Sequence, residues 1–193
     1  MNPFERLFLR AKHWHIFLLL VGVAAAGEIM VMRSFPVTPP PNLDKTFATM
    51  GWVTAVSMLC FMAWFWSMGS FLSSIAQSTR GLNIWIFRFA LIYPAVYTTA
   101  FFLAVAPQSG MPAFIIPFHL FAMVCMFYDL YFVSKALVIA ETGRAASFYD
   151  FSGPFFLLWF FPIGVWVIQP RINRLFRDWE CRRHGRPPSR PAP

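Results

Sequence analysis

The sequence predicts an all-α integral membrane protein. It reads as a helical bundle of four transmembrane helices, with a short C-terminal re-entrant or interfacial helix and a basic amphipathic tail helix. Three observations carry this reading. Of 193 residues, 58% are hydrophobic and 12% charged, about half the charged share of an ordinary soluble domain. Four apolar segments reach the roughly 20 residues that a helix needs to cross a ~30 Å hydrocarbon core. The Lys and Arg residues are distributed very unevenly between the connections, as an oriented membrane protein requires. A chain of this length has room for one helical membrane domain, residues 1–184, and none for a separate soluble catalytic domain.

The first span lies near 15–32. Its beginning imitates a secretory signal peptide: Arg6, Arg10 and Lys12 precede an apolar Ile16–Val23 and an Ala24-Ala25-Ala26 site. The apolar run resumes through Ile29–Met32, however, so the segment reads as an uncleaved first helix. Ahead of it, Phe4, Leu7, Phe8 and Ala11 recur at helical spacing with the basic residues beside them, the pattern of a surface helix. Residues 33–46 contain Pro36, Pro39, Pro40 and Pro41 and read as an extended connection.

The second span lies near 47–77, the third near 84–106 and the fourth near 113–140. The second and fourth are longer than a bilayer requires and should tilt or project. Pro107, Gly110 and Pro112 mark a turn before the fourth, and Pro94 and Pro117 are expected to kink their helices. Gly22 with Ala26, and Gly51 with Ala55, are small-xxx-small steps that allow close helix approach. The run Met58–Met68, MLCFMAWFWSM, is rich in Met, Phe and Trp. A haem or quinone pocket there would need an axial histidine or a polar anchor on that helix. The run reads as core and lipid-facing packing, and no cofactor is expected.

The segment Pro154–Ile168, PFFLLWFFPIGVWVI, is uncharged and would reach about 22 Å as a helix, short of the hydrocarbon thickness. Pro162 interrupts it near its middle. It therefore reads as entering the membrane and returning. Charge counting agrees. With a cytoplasmic N-terminus and four spans, the inside holds Arg6, Arg10, Lys12, Arg80, Arg88, Lys135, Arg144 and seven tail arginines, and the outside holds Arg33 and Lys45. The alternative, a fifth span lengthened back to Phe151, splits the same charges 7 to 9, which the positive-inside rule disfavours.

The tail carries most of the formal net charge of +8. Ile172, Leu175, Phe176 and Trp179 fall at i, i+3, i+4 and i+7 with Arg171, Arg174 and Arg177 beside them. Pro170 suits a first helical position. The expectation is an amphipathic helix over 170–184 lying in the headgroup region, with Arg171, Arg174, Arg177 and Trp179 as candidate contacts to anionic lipid. Residues 185–193 read as disordered. A basic excess in a membrane protein points to cytoplasmic orientation and anionic lipid, not to nucleic acid.

Ionisable residues within spans are the candidates for function, because each is costly in hydrocarbon. Depth suggests two layers. Glu28 lies about 6 Å from the outer end of the first helix and His119 about 9 Å inside the outer start of the fourth. Arg88 lies about 6 Å from the inner start of the third helix, with Asp129 somewhat deeper on the fourth and Lys135 as a competing partner. Glu28–His119 and Arg88–Asp129 are thus candidate pairs, either interhelical glue or a binding and transport path. Asp150 reads as a helix cap. Cys60, Cys125 and Cys181 suggest neither a disulfide framework nor a zinc spacing. Cys181 with His184 is too small a set for a metal site, and none is expected. Phosphate-loop, zincin and nucleophile-elbow motifs are absent, so no catalytic residue is nominated.

Four strings resemble a family of small, uncharacterised bacterial multipass inner-membrane proteins: KHWHIFLLL at Lys12–Leu20, WFWSMG at Trp64–Gly69, FHLFAMVCMFYDLYFVSKAL at Phe118–Leu137, and FSGPFFLLWFFPIGVWVIQPRIN at Phe151–Asn173. The last is the most distinctive. Within that resemblance His15 stands where Gln is more usual, and Asp129 is unusual at its place. It implies a bacterial inner-membrane location, with both termini cytoplasmic in the topology above, and brings no activity with it.

The leading functional expectation is a non-enzymatic accessory or interaction subunit that contacts anionic lipid and a protein partner or further copies of itself. A small oligomeric channel or transporter built on Glu28, Arg88, His119 and Asp129 is the alternative. A lipid-acting membrane enzyme comes third, and would need Asp150, Glu141, Arg144 or His119 to gather at the cytoplasmic interface.

Overall fold

The structure is a computed structural model and describes residues 2–34, 43–76, 81–102 and 115–185. Among the described residues it is entirely helical. The elements are α1 (Pro3–Arg10), α2 (His13–Phe17), a π-helical turn (Leu18–Gly22), α3 (Val23–Ser34), α4 (Leu43–Ile75), α5 (Ile84–Ala100), α6 (Ile115–Thr142), α7 (Phe148–Trp159) and α8 (Phe161–Arg183). Three stretches are long and apolar enough to cross a membrane: His13–Arg33, Ala48–Ile75 and Ile115–Thr142. The third expected span corresponds to the shorter apolar helix Ile84–Ala100. The proline connection at 35–42, the turn at 107–112 and the tail from 186 lie outside the described residues.

The chain divides into two compact units, one comprising Met1–Phe17, Trp66–Ile84 and Leu130–Pro193, the other Leu18–Phe65 and Trp85–Asp129.

In the first unit, α8 is the organising element. Its face Val165, Ile168, Ile172 and Phe176 is completely buried, at the i, i+3, i+7, i+11 spacing of one helical side. Phe176 meets Phe71 of α4 edge-on, with ring centroids 5.4 Å apart, and Phe71 also meets Trp179 at 6.1 Å. This corrects one expectation. The apolar stripe of the tail is covered by protein at Ile172 and Phe176, so it is not a lipid-facing surface there. A second correction concerns where the tail helix starts. Helix α8 is continuous through Pro170. Proline at this position lacks the N–H that would bond the Trp166 carbonyl and crowds it, but the buried face extends on both sides and carries the helix across.

The reversal comes at Phe160, not at Pro162. Phe160 (φ −90°, ψ 57°) ends α7 and precedes α8, and Pro162 sits in the first turn of α8, where its missing N–H costs nothing. At the bend Gly164 approaches so closely that a Cβ there would collide with the Leu157 carbonyl. Upstream, Gly143 (φ +71°) stops α6, its N–H bonding the Ile139 carbonyl at 2.8 Å; the left-handed conformation favours glycine there. Ser147 then caps α7. Asp150 accepts from both the Ser147 N–H (2.8 Å) and hydroxyl (2.7 Å), the cap role read from its position.

In the second unit, α3 and α4 approach through Gly27, whose missing Cβ is filled by Val53. The Gly22–Ala26 step takes no part in this approach: Gly22 has open space beside it and Ala26 is exposed. Helices α5 and α6 meet through Tyr93 against Phe121, edge-on at 4.8 Å. Phe61 stacks on Phe65 at 4.4 Å, and Trp64 and Phe65 are fully buried, so part of the aromatic-rich run is core. Pro94 lies buried inside α5. Pro117 occupies the first turn of α6, a position that spares the helix the kink expected of it.

Candidate functional site

The strongest polar constellation joins the two ends of the chain, within the first unit. The last carbonyls of a helix have no intrahelical partner, and those of α1 are met by side chains of α8. The Gln169 amide Nε2, 1% exposed, donates to the Phe8 carbonyl at 2.8 Å and the Ala11 carbonyl at 3.1 Å. The Asn173 Oδ1 lies 3.0 Å away as a third acceptor. The Asn173 Nδ2 donates to the same Ala11 carbonyl at 3.0 Å. Farther along, Arg10 and Glu180 form an ion pair at 2.7 Å. Phe8 and Leu9 are buried, and His13 and Phe17 lie against Trp166 at 4.7 and 5.5 Å. The buried face of α1 is Glu5, Phe8 and Leu9; Phe4 and Leu7, two members of the expected apolar stripe, point outward. The Glu5 carboxylate is used locally, accepting the Asn2 N–H at 3.1 Å. His15 has a similar task, its Nδ1 accepting the Lys12 N–H at 3.2 Å, the back-bond that Glu or Gln makes in a capping box.

The second cluster closes the α7–α8 hairpin. Arg171 makes a two-pronged contact with Glu141, Nε to Oε1 at 2.9 Å and Nη2 to Oε2 at 2.5 Å. Arg174 stands 3.9 Å from the same carboxylate. Arg144 lies 3.5 Å from Asp150. The Asp150 carboxyl is held below the usual carboxylate range, chiefly by the Ser147 hydroxyl, then by the Ser147 N–H and the Arg144 charge.

These facts redistribute the expected lipid-interface residues. Arg171 is committed to Glu141 and Trp179 to Phe71 and Phe176, with Arg183 over the Trp179 ring at 5.4 Å. Arg174 and Arg177 are exposed.

The in-membrane candidates lie in the second unit, and among the described residues Glu28 and His119 form no ion pair with each other. Glu28 and His119 are both exposed; His119 has Tyr97 as a ring neighbour at 6.0 Å. Arg88 is half-buried with its guanidinium over Trp85 at 5.0 Å. Asp129 is 4% exposed, and its Oδ1 has no hydrogen-bond partner. Lys135 donates to the Tyr131 hydroxyl at 2.7 Å. Among the described residues no three His, Cys, Asp or Glu side chains gather as a metal site would need.

Sequence reasoning missed Gln169 and Asn173. They belong to the quoted QPRIN string, and a glutamine followed by proline at the end of an apolar run was the available signal. No family model, no curated protein and no solved structure matches this chain.

Proposed function

We propose that the protein is an accessory or interaction subunit of a bacterial inner membrane, crossing it four times, with both termini in the cytoplasm and the α7–α8 hairpin entering and leaving on the cytoplasmic side. The observation that carries this reading is the clasp between α1 and α8. It ties the basic N-terminal helix to the basic tail helix, which favours an even number of crossings between them. The Glu141–Arg171 contact supports the returning hairpin, since the end of α6 and a point eleven residues past Phe160 lie together. Lys12, Arg174 and Arg177, all exposed, then face anionic lipid headgroups. Phe4 and Leu7 project from the clasped α1 as an exposed apolar patch, and this patch is the docking surface for a partner.

The test is photo-crosslinking in living cells with benzoylphenylalanine replacing Phe4 or Leu7. The expected result is a discrete adduct with one other membrane protein. Adducts to lipid alone would overturn the interaction role.

A transport role has one specific observation in its favour. Asp129 is a buried carboxyl within a candidate span with an unsatisfied oxygen, and intramembrane carboxyls often mark ion paths. Asp129→Asn in a vesicle flux assay decides it: unchanged ion flux relative to protein-free vesicles for both forms removes this reading.

A further inference from the structure

Two helix faces of the second unit carry opposite chemistry and lack protein cover. On α3, Ala25, Glu28, Ile29 and Met32 recur at i, i+3, i+4 and i+7 and are all exposed, while Gly27 and Val31 turn inward. On α6, Ile116, His119, Met123 and Met126 recur at the same kind of spacing and are also all exposed. Each stripe is apolar apart from one ionisable residue at its middle. Both stripes lie within helices long and apolar enough to span a membrane, where lipid satisfies Met and Ile but not a carboxylate or an imidazole. Glu28 and His119 do not pair with each other within the chain, and each lies one to two turns from the helix end expected at the outer surface.

We infer that a second copy of this chain covers these faces, with Glu28 of each protomer meeting His119 of the other. A two-fold interface is self-complementary: if residue i touches residue j of the partner, j touches i in return. With both stripes bordering the two-fold axis, one acid and one base at similar depth meet that condition twice per dimer. The small Ala25 beside Glu28 lets the helices approach, and the flexible methionines on both stripes accommodate the fit. Other occupants are a lipid headgroup reached by snorkelling or a different protein, and the test separates them. The inference does not depend on the docking role of α1. It does require that α3 and α6 lie in the bilayer.

The experiment uses full-length chains in their native membrane, in a Cys60→Ser, Cys125→Ser, Cys181→Ser background. Glu28→Cys and His119→Cys are carried on separately tagged copies expressed together and oxidised in the membrane. The expected result is a disulfide-linked species containing both tags, at least ten-fold above that formed when either variant is expressed alone. In a second measurement with the native cysteines, Glu28→Gln is expected to raise the dimer dissociation constant in nanodiscs at least ten-fold, and His119→Gln likewise. Chains that stay in the membrane through alkaline carbonate but give no mixed disulfide overturn the dimer, as does an intrachain disulfide in the Glu28→Cys, His119→Cys double variant. Release of the unmodified chain by carbonate overturns the dimer and the membrane reading together.

Discussion

Glu141 and Arg171 are 30 residues apart in the chain and joined by two charge-assisted hydrogen bonds. Between them the chain runs out along α7, reverses at Phe160 and returns along α8. The two-pronged geometry matters because the guanidinium fork fixes direction as well as distance. A lysine in its place would keep the charge and lose the orientation. The pair is mostly shielded from solvent, with side-chain exposures of 16% for Glu141 and 28% for Arg171, so it should contribute more than a surface ion pair. A double-mutant cycle with Glu141→Gln and Arg171→Ala is expected to give a coupling of about 1–3 kcal/mol, read from unfolding in mild detergent. Arg171→Lys should recover less than half of the loss. Coupling near zero would mean that packing alone closes the hairpin.

Gln169 is the polar centre of the α1–α8 clasp, and its role depends on donating. Gln169→Leu leaves the Phe8 and Ala11 carbonyls with fewer donors and should cost about 1–3 kcal/mol. Gln169→Glu should be worse at neutral pH, because a carboxylate would face two carbonyl oxygens in a buried site. Hydrogen exchange over residues 3–10 is the measurement. Exchange should accelerate in both variants, more in the glutamate one, with the protection of α6 retained. Equal protection in wild type and Gln169→Glu would remove the clasp from the account.

Sequence pattern and structure agree where the signal is local. The apolar segments, the cap at Asp150 and the reversal within Pro154–Ile168 each arise from residues within a few positions of one another. The clasp was not legible, because Gln169 meets a carbonyl 161 residues away and no periodicity records such a partner. The tail stripe announced a buried face without saying what buries it. Depth alone did not reveal that Glu28 and His119 are both exposed, for a geometric reason. Distance along the membrane normal is one coordinate, and helix rotation, which decides what a side chain faces, is not contained in it.

The close approach at the α7–α8 bend makes a paired prediction at two glycines. At Gly164 a methyl group would strike the Leu157 carbonyl, which is backbone and cannot rotate away. Gly164→Ala should destabilise by about 1–3 kcal/mol, as over-packing commonly does. Gly153 lies inside α7 with open space around it, so Gly153→Ala should be neutral or stabilise by up to about 1 kcal/mol through helix propensity. Thermal unfolding of the two variants in the same detergent checks both. The reverse order would show that the bend opens readily.

The α7 cap should respond to acid. The folded Asp150 carboxyl is lowered from the ordinary aspartate value near ~3.9. Its stabilising contribution is therefore fully present above that ordinary value and is lost as pH falls through the folded one. The protection factor of the first-turn amides of α7, which divides out the intrinsic pH dependence of exchange, should be flat from neutrality down to about pH 5 and fall below about pH 4. Ser147→Ala removes the largest cause of the shift, so its carboxyl should titrate closer to the ordinary value by carbon NMR. An unchanged titration in Ser147→Ala would assign the shift to Arg144 instead.

Topology supplies the last prediction. If α1 is clasped to α8, a label that reaches one terminal helix must be on the same side as a label that reaches the other. Cys181 lies near the end of α8, half-buried, and provides a native handle in a Cys60→Ser, Cys125→Ser background. An impermeant maleimide should modify it in inverted vesicles and not in intact cells. A cysteine placed at Asn2, in the same background with Cys181→Ser, should behave identically. Labelling of position 181 from outside with position 2 labelled from inside would require an odd number of crossings and α1 to leave α8, whereas labelling of both from outside would keep the clasp and invert the topology against the positive-inside rule. Labelling of both from inside would leave the hairpin as a returning element, since the connection from α6 and the end of α8 would then share one side of the membrane.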